Sequence, residues 1–115
     1  MSTRSFIGLL CAGGLVRGVY CHSDGYPEAP HGVGHKLATY FKDPVKVAEL
    51  LDLGSLSALG DGLAKDAGTV AYGRDRQDED TEACMYETVE AFKEAGRDLD
   101  AEYLYLFNGR TWEQV

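Results

Sequence analysis

The sequence predicts an α+β domain. It consists of a mostly antiparallel sheet of about five strands, with about three helices packed on one face of the sheet. Two apolar segments flank a Gly-Gly pair near the N-terminus, and two more flank an Asn-Gly pair near the C-terminus. Both pairs favour tight hairpin turns. Between the two hairpins, apolar residues recur every three or four positions, which is the spacing of amphipathic helices. The 115 residues fit a single domain over residues 1–115.

The N-terminal hairpin is predicted from two strands, residues 4–10 and residues 15–22. The Gly-Gly pair between them tolerates the positive φ angles of a tight turn. Two prolines and two glycines in residues 23–32 predict a loop. A helix is expected over residues 33–42, where the apolar positions form one stripe.

A second helix is predicted over residues 44–52. Asp43 is a favoured N-cap, and Pro44 is a favoured first helical residue. In residues 53–68, glycines interrupt leucines that lie at helical spacing, so we expect one helical turn and then a loop. Residues 69–73 are expected to form the short middle strand.

The C-terminal third is predicted to begin with a charged loop over residues 74–80 and a helix over residues 81–95 that ends at Gly96. The apolar side of this helix comprises Met85, Val89 and Phe92. The second hairpin pairs residues 102–107 with residues 110–114. Strand 102–107 is apolar on both faces, so helices are expected to cover one face, and a homodimer contact or the long middle loop the other.

The net charge of −8 excludes some classes of function. General nucleic-acid binding depends on Lys and Arg that neutralise phosphates, and anionic membranes attract basic proteins. We therefore expect neither general nucleic-acid binding nor membrane binding. The charge is uneven, because residues 74–115 hold five bases and twelve acids, a net of −7. Residues 1–41 hold three bases and two acids, a net of +1.

The three cysteines predict a reducing compartment. Their odd number and the lack of a Cys-x-x-Cys spacing do not fit a disulfide framework or a zinc knuckle. The N-terminus lacks the apolar stretch of a signal peptide, and no apolar run reaches the length of a membrane span. The expected location is the cytoplasm, and no cofactor is expected.

One candidate ligand site lies in the near-neutral N-terminal part. Its cations and aromatic rings could hold a small anion, such as a nucleotide or a cyclic nucleotide, by phosphate pairing and stacking. The alternative is that the two arginines are solvated strand residues. The candidate residues are Arg4, Arg17, Tyr20, His22, Asp24 and Tyr26.

A second cluster contains the cysteine and histidines of the same region. All three histidines fall within fourteen residues, but none belongs to a His-Glu-x-x-His arrangement. Adjacent strand residues point to opposite faces, so Cys21 and His22 cannot form a nucleophile pair. We predict no catalytic residue and no metal site. The residues that a metal site would use are Cys21, His22, His31 and His35.

A third candidate is the acidic surface of the C-terminal third. A row of carboxylates on one side of a helix is either a solvated face or a surface that docks on a basic partner. The acidic candidates are Asp78, Glu79, Asp80, Glu87, Glu90 and Glu94.

The N-terminal motif carries a resemblance to a known family. Residues 3–8 read Thr-Arg-Ser-x-Ile-Gly, and residues 16–27 read Val-Arg-Gly-x-Tyr-Cys-His-x-Asp-Gly-Tyr-Pro. This pattern resembles a widespread, largely uncharacterised family of small proteins encoded by bacteriophages and prophages. The likeness extends through most of the chain, although Ser23 stands where relatives often have an aromatic residue. The resemblance implies a host bacterial cytoplasm and supplies no catalytic residue.

These observations predict a non-catalytic, phage-type accessory protein that binds and modulates a host macromolecule, as an inhibitor used in host takeover or counter-defence. The alternative is a small-molecule sequestering protein that binds a nucleotide signal through the N-terminal patch. A metal-binding or Cys/His enzyme is the third and least favoured reading. The expected partners are a host protein, or else a small anionic ligand, and a homo-oligomer is an open alternative.

Overall fold

A computed structural model describes residues 2–115 as an α+β fold with seven strands and four α-helices. The strands are β1 (Ser5–Leu10), β2 (Val16–Cys21), β3 (Leu56–Ala58), β4 (Val70–Ala71), β5 (Cys84–Tyr86), β6 (Tyr103–Phe107) and β7 (Trp112–Gln114). The helices are α1 (Val33–Tyr40), α2 (Pro44–Asp52), α3 (Tyr72–Arg76) and α4 (Val89–Asp98). Short 3₁₀ turns occupy Ala12–Gly14 and Lys65–Ala67.

All seven strands belong to one mixed sheet in the order β4-β3-β2-β1-β6-β7. β5 pairs with the N-terminal half of β2, and β3 pairs with the other end of β2 at Cys21. The two predicted hairpins are present, but β1 and β6 join them through a parallel pairing. β2 and β3 are also parallel. The α+β class is confirmed, and the described chain has two strands and one helix more than the sequence predicted.

Helices cover both faces of the sheet, so the expectation of a single helical face was wrong. On one face, α1 and α2 bury an apolar cluster that includes Ile7 of β1 and Tyr105 and Phe107 of β6. On the other face, α4 packs over a smaller cluster that includes Leu104 and Leu106. Helices of the same chain therefore bury both faces of β6, which explains why this strand is apolar on both faces. A second copy of the chain is not needed to cover it.

The contact of α4 with the sheet depends on glycines inside regular elements. Gly8 of β1 lies directly opposite Gly18 of β2. A Cβ at Gly8 would lie 2.7 Å from the Phe92 ring, and one at Gly18 would lie 3.1 Å from it. Gly96 is buried within α4, where a Cβ would lie 2.5 Å from Leu104. The predicted end of the helix at Gly96 was therefore wrong, because this glycine serves close packing.

The predicted helix over residues 81–95 was wrong in its first half. Thr88 caps α4, since its hydroxyl accepts the Ala91 N–H at 3.0 Å. The residues before Thr88 form β5, which pairs with the edge of β2 that β3 leaves open. Met85 consequently lies on a strand and is 54% exposed, instead of facing a helical core.

The middle of the chain also differs from expectation. Residues 53–68 contain strand β3 in place of a helical turn, and the 3₁₀ turn comes only at Lys65–Ala67. The expected strand over residues 69–73 is shorter, because α3 begins at Tyr72 and replaces part of the predicted charged loop. The Asp75 side chain accepts the Ala71 N–H at 2.8 Å, which stabilises this strand-to-helix junction.

The predicted start of α2 is confirmed. Asp43 caps it by accepting the Val45 N–H at 2.9 Å, and Pro44 is its first residue. Gly54 follows the helix with φ +77°, as expected of a glycine beyond a helix C-terminus. Within the described residues, every helix is too short or too polar to cross a membrane.

We expect Gly8→Ala to destabilise the fold by about 1–3 kcal/mol, because the added methyl group overpacks against the Phe92 ring. The free energy of unfolding from urea titration measures this effect. Gly62→Ala is the matched control, since its Cβ would meet only the Ala67 methyl at 3.4 Å. Equal stability of the two variants would contradict the proposed packing of α4.

Candidate functional site

The pleat of β2 divides the predicted ligand-binding residues between the two faces of the sheet. Tyr20 and His22 lie on the α4 side, where the Tyr20 hydroxyl and His22 Nδ1 share a 2.7 Å hydrogen bond. Arg17 lies on the opposite side and pairs with Asp52 of α2 at 3.0 Å. The two arginines therefore do not converge on one ligand.

A small cleft of about 210 Å³ joins Arg4 and His22 at the end of the sheet. Its other lining residues include Asp100 and Glu102. The Arg4 guanidinium lies 3.6 Å from the Asp100 carboxylate. Burial raises the pKa of the neighbouring Tyr20, so its hydroxyl stays protonated at neutral pH. Because one cation faces two carboxylates, this cleft is poorly suited to an anionic ligand.

Asp24 and Tyr26 lie apart from that cleft in the loop after β2. The Tyr26 hydroxyl donates to Asp24 at 3.2 Å. Gly25, between them, donates its N–H to the Thr3 carbonyl at 2.8 Å, and its own carbonyl accepts the buried Tyr105 hydroxyl at 2.7 Å. The Asp-Gly-Tyr part of the N-terminal motif thus fixes the loop to the sheet.

The cysteine and histidine candidates are not brought together. Cys21 is fully buried, and burial raises its pKa to about 12. His22 faces the other side of the sheet, His31 is exposed in the loop, and His35 lies in α1. In residues 2–115, no group of three or more His, Cys, Asp and Glu side chains has an arrangement that could hold a metal ion.

The acidic candidates lie before and after β5. We define the acidic surface as these carboxylates with the strand between them. Asp78, Glu79 and Asp80 are exposed in the loop that precedes β5. The others are exposed at the start of α4 and along it: Glu87, Glu90 and Glu94. Among described residues, the one ion pair of these six carboxylates joins Glu90 to Lys93 at 3.9 Å.

β5 also carries an exposed apolar side chain, on the side of the sheet that faces away from α4. Met85 is the central residue of β5 and is 54% exposed. β5 pairs with β2 on one edge only, so the backbone of its other edge has no strand partner among residues 2–115. The open edge of β5 thus lies between the carboxylates of α4 on one side of the sheet and Met85 on the other. Open strand edges and clustered charge both recur at protein–protein interfaces.

Sequence reasoning missed a groove between α1 and β7. Two adjoining cavities there share Ala38 and Trp112 as lining residues. The sequence signal was the one tryptophan of the chain close to Arg110. β7 contacts the end of α1, about seventy positions earlier in the chain. Local sequence patterns do not predict a contact between segments so far apart.

No protein-family model matches the chain, and neither the curated proteins nor the solved structures include one with significant similarity to it.

We expect Cys21 to be unreactive in the folded protein. In a Cys11→Ser/Cys84→Ser variant, Cys21 is the one remaining thiol. At pH 8 a pKa near 12 leaves about one thiolate in ten thousand, and burial blocks access. A thiol-reactive chromophore should give no fast labelling under native conditions and one labelled thiol in urea. Rapid labelling of the folded variant would contradict the burial and pKa of Cys21.

Proposed function

We propose that this protein is a non-catalytic, phage-type accessory protein that binds and modulates a host protein through its acidic surface. The observation that supports this proposal best is the set of exposed carboxylates before and after β5, of which Glu90 alone has an ion-pair partner among described residues. Such a surface suits a partner with a basic patch.

The charge would act mainly on the rate and selectivity of encounter. Complementary potentials raise association rates and disfavour wrong partners. Rim charges alone contribute little affinity, because solvent and salt screen them. The open edge of β5 supplies backbone groups that a partner segment could pair with, and such pairing would add affinity.

The biological setting in this proposal comes from the N-terminal motif. Its resemblance to phage and prophage proteins favours a host bacterial cytoplasm and a role in host takeover or counter-defence. The cysteines support a reducing compartment, since Cys11, Cys21 and Cys84 are all free thiols.

Sequestration of a nucleotide by the N-terminal patch is the less supported alternative. Arg4 and Arg17 lie on opposite faces of the sheet, and each has a carboxylate partner. An anion there would have to displace Asp100 or Asp52 from its arginine. A homodimer is likewise not needed to bury β6, because α4 covers its second face.

We expect charge reversal of the acidic surface to weaken partner capture strongly, because it places three lysines against the basic patch of the partner. The variant Glu87→Lys/Glu90→Lys/Glu94→Lys changes the net charge from −8 to −2. With the tagged wild type as bait in host lysate at about 0.15 M salt, a host protein should be enriched, and the variant should reduce its recovery at least about tenfold. Circular dichroism checks that the fold persists.

The control variant is Glu28→Lys/Glu49→Lys/Asp66→Lys, which makes the same charge change at exposed sites away from β5 and α4. It should capture the partner as the wild type does. Equal recovery by both variants would refute the acidic surface as the binding site. Equal loss in both would mean that net charge alone governs capture, and this too would refute the proposal.

A further inference from the structure

The groove between α1 and β7, which we call the Trp112 groove, differs in character from the acidic surface. One cavity of about 240 Å³ is lined by Ala38, Lys42, Phe107, Arg110, Thr111 and Trp112. A second cavity of about 340 Å³ adjoins it and reaches His35, Tyr105 and Glu113. Ligand pockets usually occupy about 300–1,000 Å³. The second cavity reaches this range, and the first extends the space toward Lys42 and Arg110.

Trp112 forms a fixed aromatic wall in this groove. Its indole N–H donates to the Phe41 carbonyl at 2.8 Å, and its ring packs at 5.1 Å from the Phe107 ring. The indole is partly exposed and lines both cavities. Because the hydrogen bond and the Phe107 contact orient the ring in advance, a flat ligand could stack on it with little ordering cost.

Two cations lie at one end of the groove without acidic partners. Lys42 and Arg110 line the smaller cavity, and both are exposed. Neither has a carboxylate within 4.0 Å among residues 2–115. The turn that presents Arg110 is held by Asn108, whose Oδ1 accepts the backbone N–H groups of Arg110 and Thr111. The smaller cavity therefore offers two free positive charges beside an indole.

We propose that the Trp112 groove binds a small flat anion of the nucleoside monophosphate class. The base would stack on Trp112, and the phosphate would pair with Lys42 and Arg110. A nucleic-acid strand is disfavoured because its further phosphates would meet a chain of net charge −8. This proposal does not depend on the acidic surface or its partner.

Trp112 is the one tryptophan of the chain, so its fluorescence reports on the groove directly. We expect adenosine monophosphate or uridine monophosphate to change the emission of the purified full-length protein saturably, with a matching calorimetric titration. Adenosine, which lacks the phosphate, should bind at least about tenfold more weakly, and inorganic phosphate should leave the emission unchanged.

Charge reversal at the groove supplies the second test. Lys42→Glu/Arg110→Glu should weaken nucleotide binding at least about tenfold, whereas the control Lys46→Glu/Lys65→Glu makes the same charge change at exposed lysines outside the groove and should bind as the wild type does. Absence of saturable binding by both nucleotides would overturn the proposal. Equal affinities of adenosine and its monophosphate, or equal loss in both double variants, would overturn it as well.

Discussion

The Phe92 ring packs against the backbone of two neighbouring strands because Gly8 and Gly18 carry no Cβ at the point of contact. The ring also stacks on Phe6 at 4.8 Å, and Tyr86 meets it edge-on. This close approach lets α4 cover the second face of β1 and β6. A parallel pair such as β1–β6 normally needs both of its faces buried. The parallel pairing of β1 with β6 therefore depends on the position of α4, which buries the second face of both strands.

The same contact orients the charged side of α4. With Phe92 and Gly96 against the sheet, the helical period turns Glu90 and Glu94 to the outside. Phe92 also holds β5 in place, because Tyr86 of that strand packs edge-on against the Phe92 ring. β5 and α4 are thus attached to the core through two aromatic rings, which fix the backbone positions that carry Glu87, Glu90 and Glu94.

The sequence predicted correctly those turns, caps and strands that a few neighbouring residues determine. The turn glycines, the Asp43 cap and the apolar strand β6 were all identified in this way, because turns, caps and alternation are decided within a few residues. β3 and β5 were missed, since each has three residues and exists because β2 offers an edge. The role of Gly8 was also hidden, because an isolated sequence does not show which side chain packs on a glycine.

The candidate sites also divide into those that local sequence determines and those that contacts between distant residues create. Successive side chains of β2 point to opposite faces of the sheet, so Arg17 and Tyr20 lie on different faces. The separation of the predicted ligand-binding residues could therefore have been predicted from the sequence. The Trp112 groove was not, because it requires Trp112 and Phe41 to meet across the fold. Partners that are distant in the chain meet only once the order of the strands is known.

Strand order also explains how one acidic chain can present an anion site. β5 adjoins β2, and β1 and β6 lie between β2 and β7. At about 4.8 Å per strand, four spacings separate β5 from β7, which is about 19 Å. The screening length at physiological salt is about 8 Å. An anion beside Lys42 and Arg110 would therefore experience those two cations far more strongly than the carboxylates near β5. The net charge of the chain thus does not exclude a single small anion from the groove.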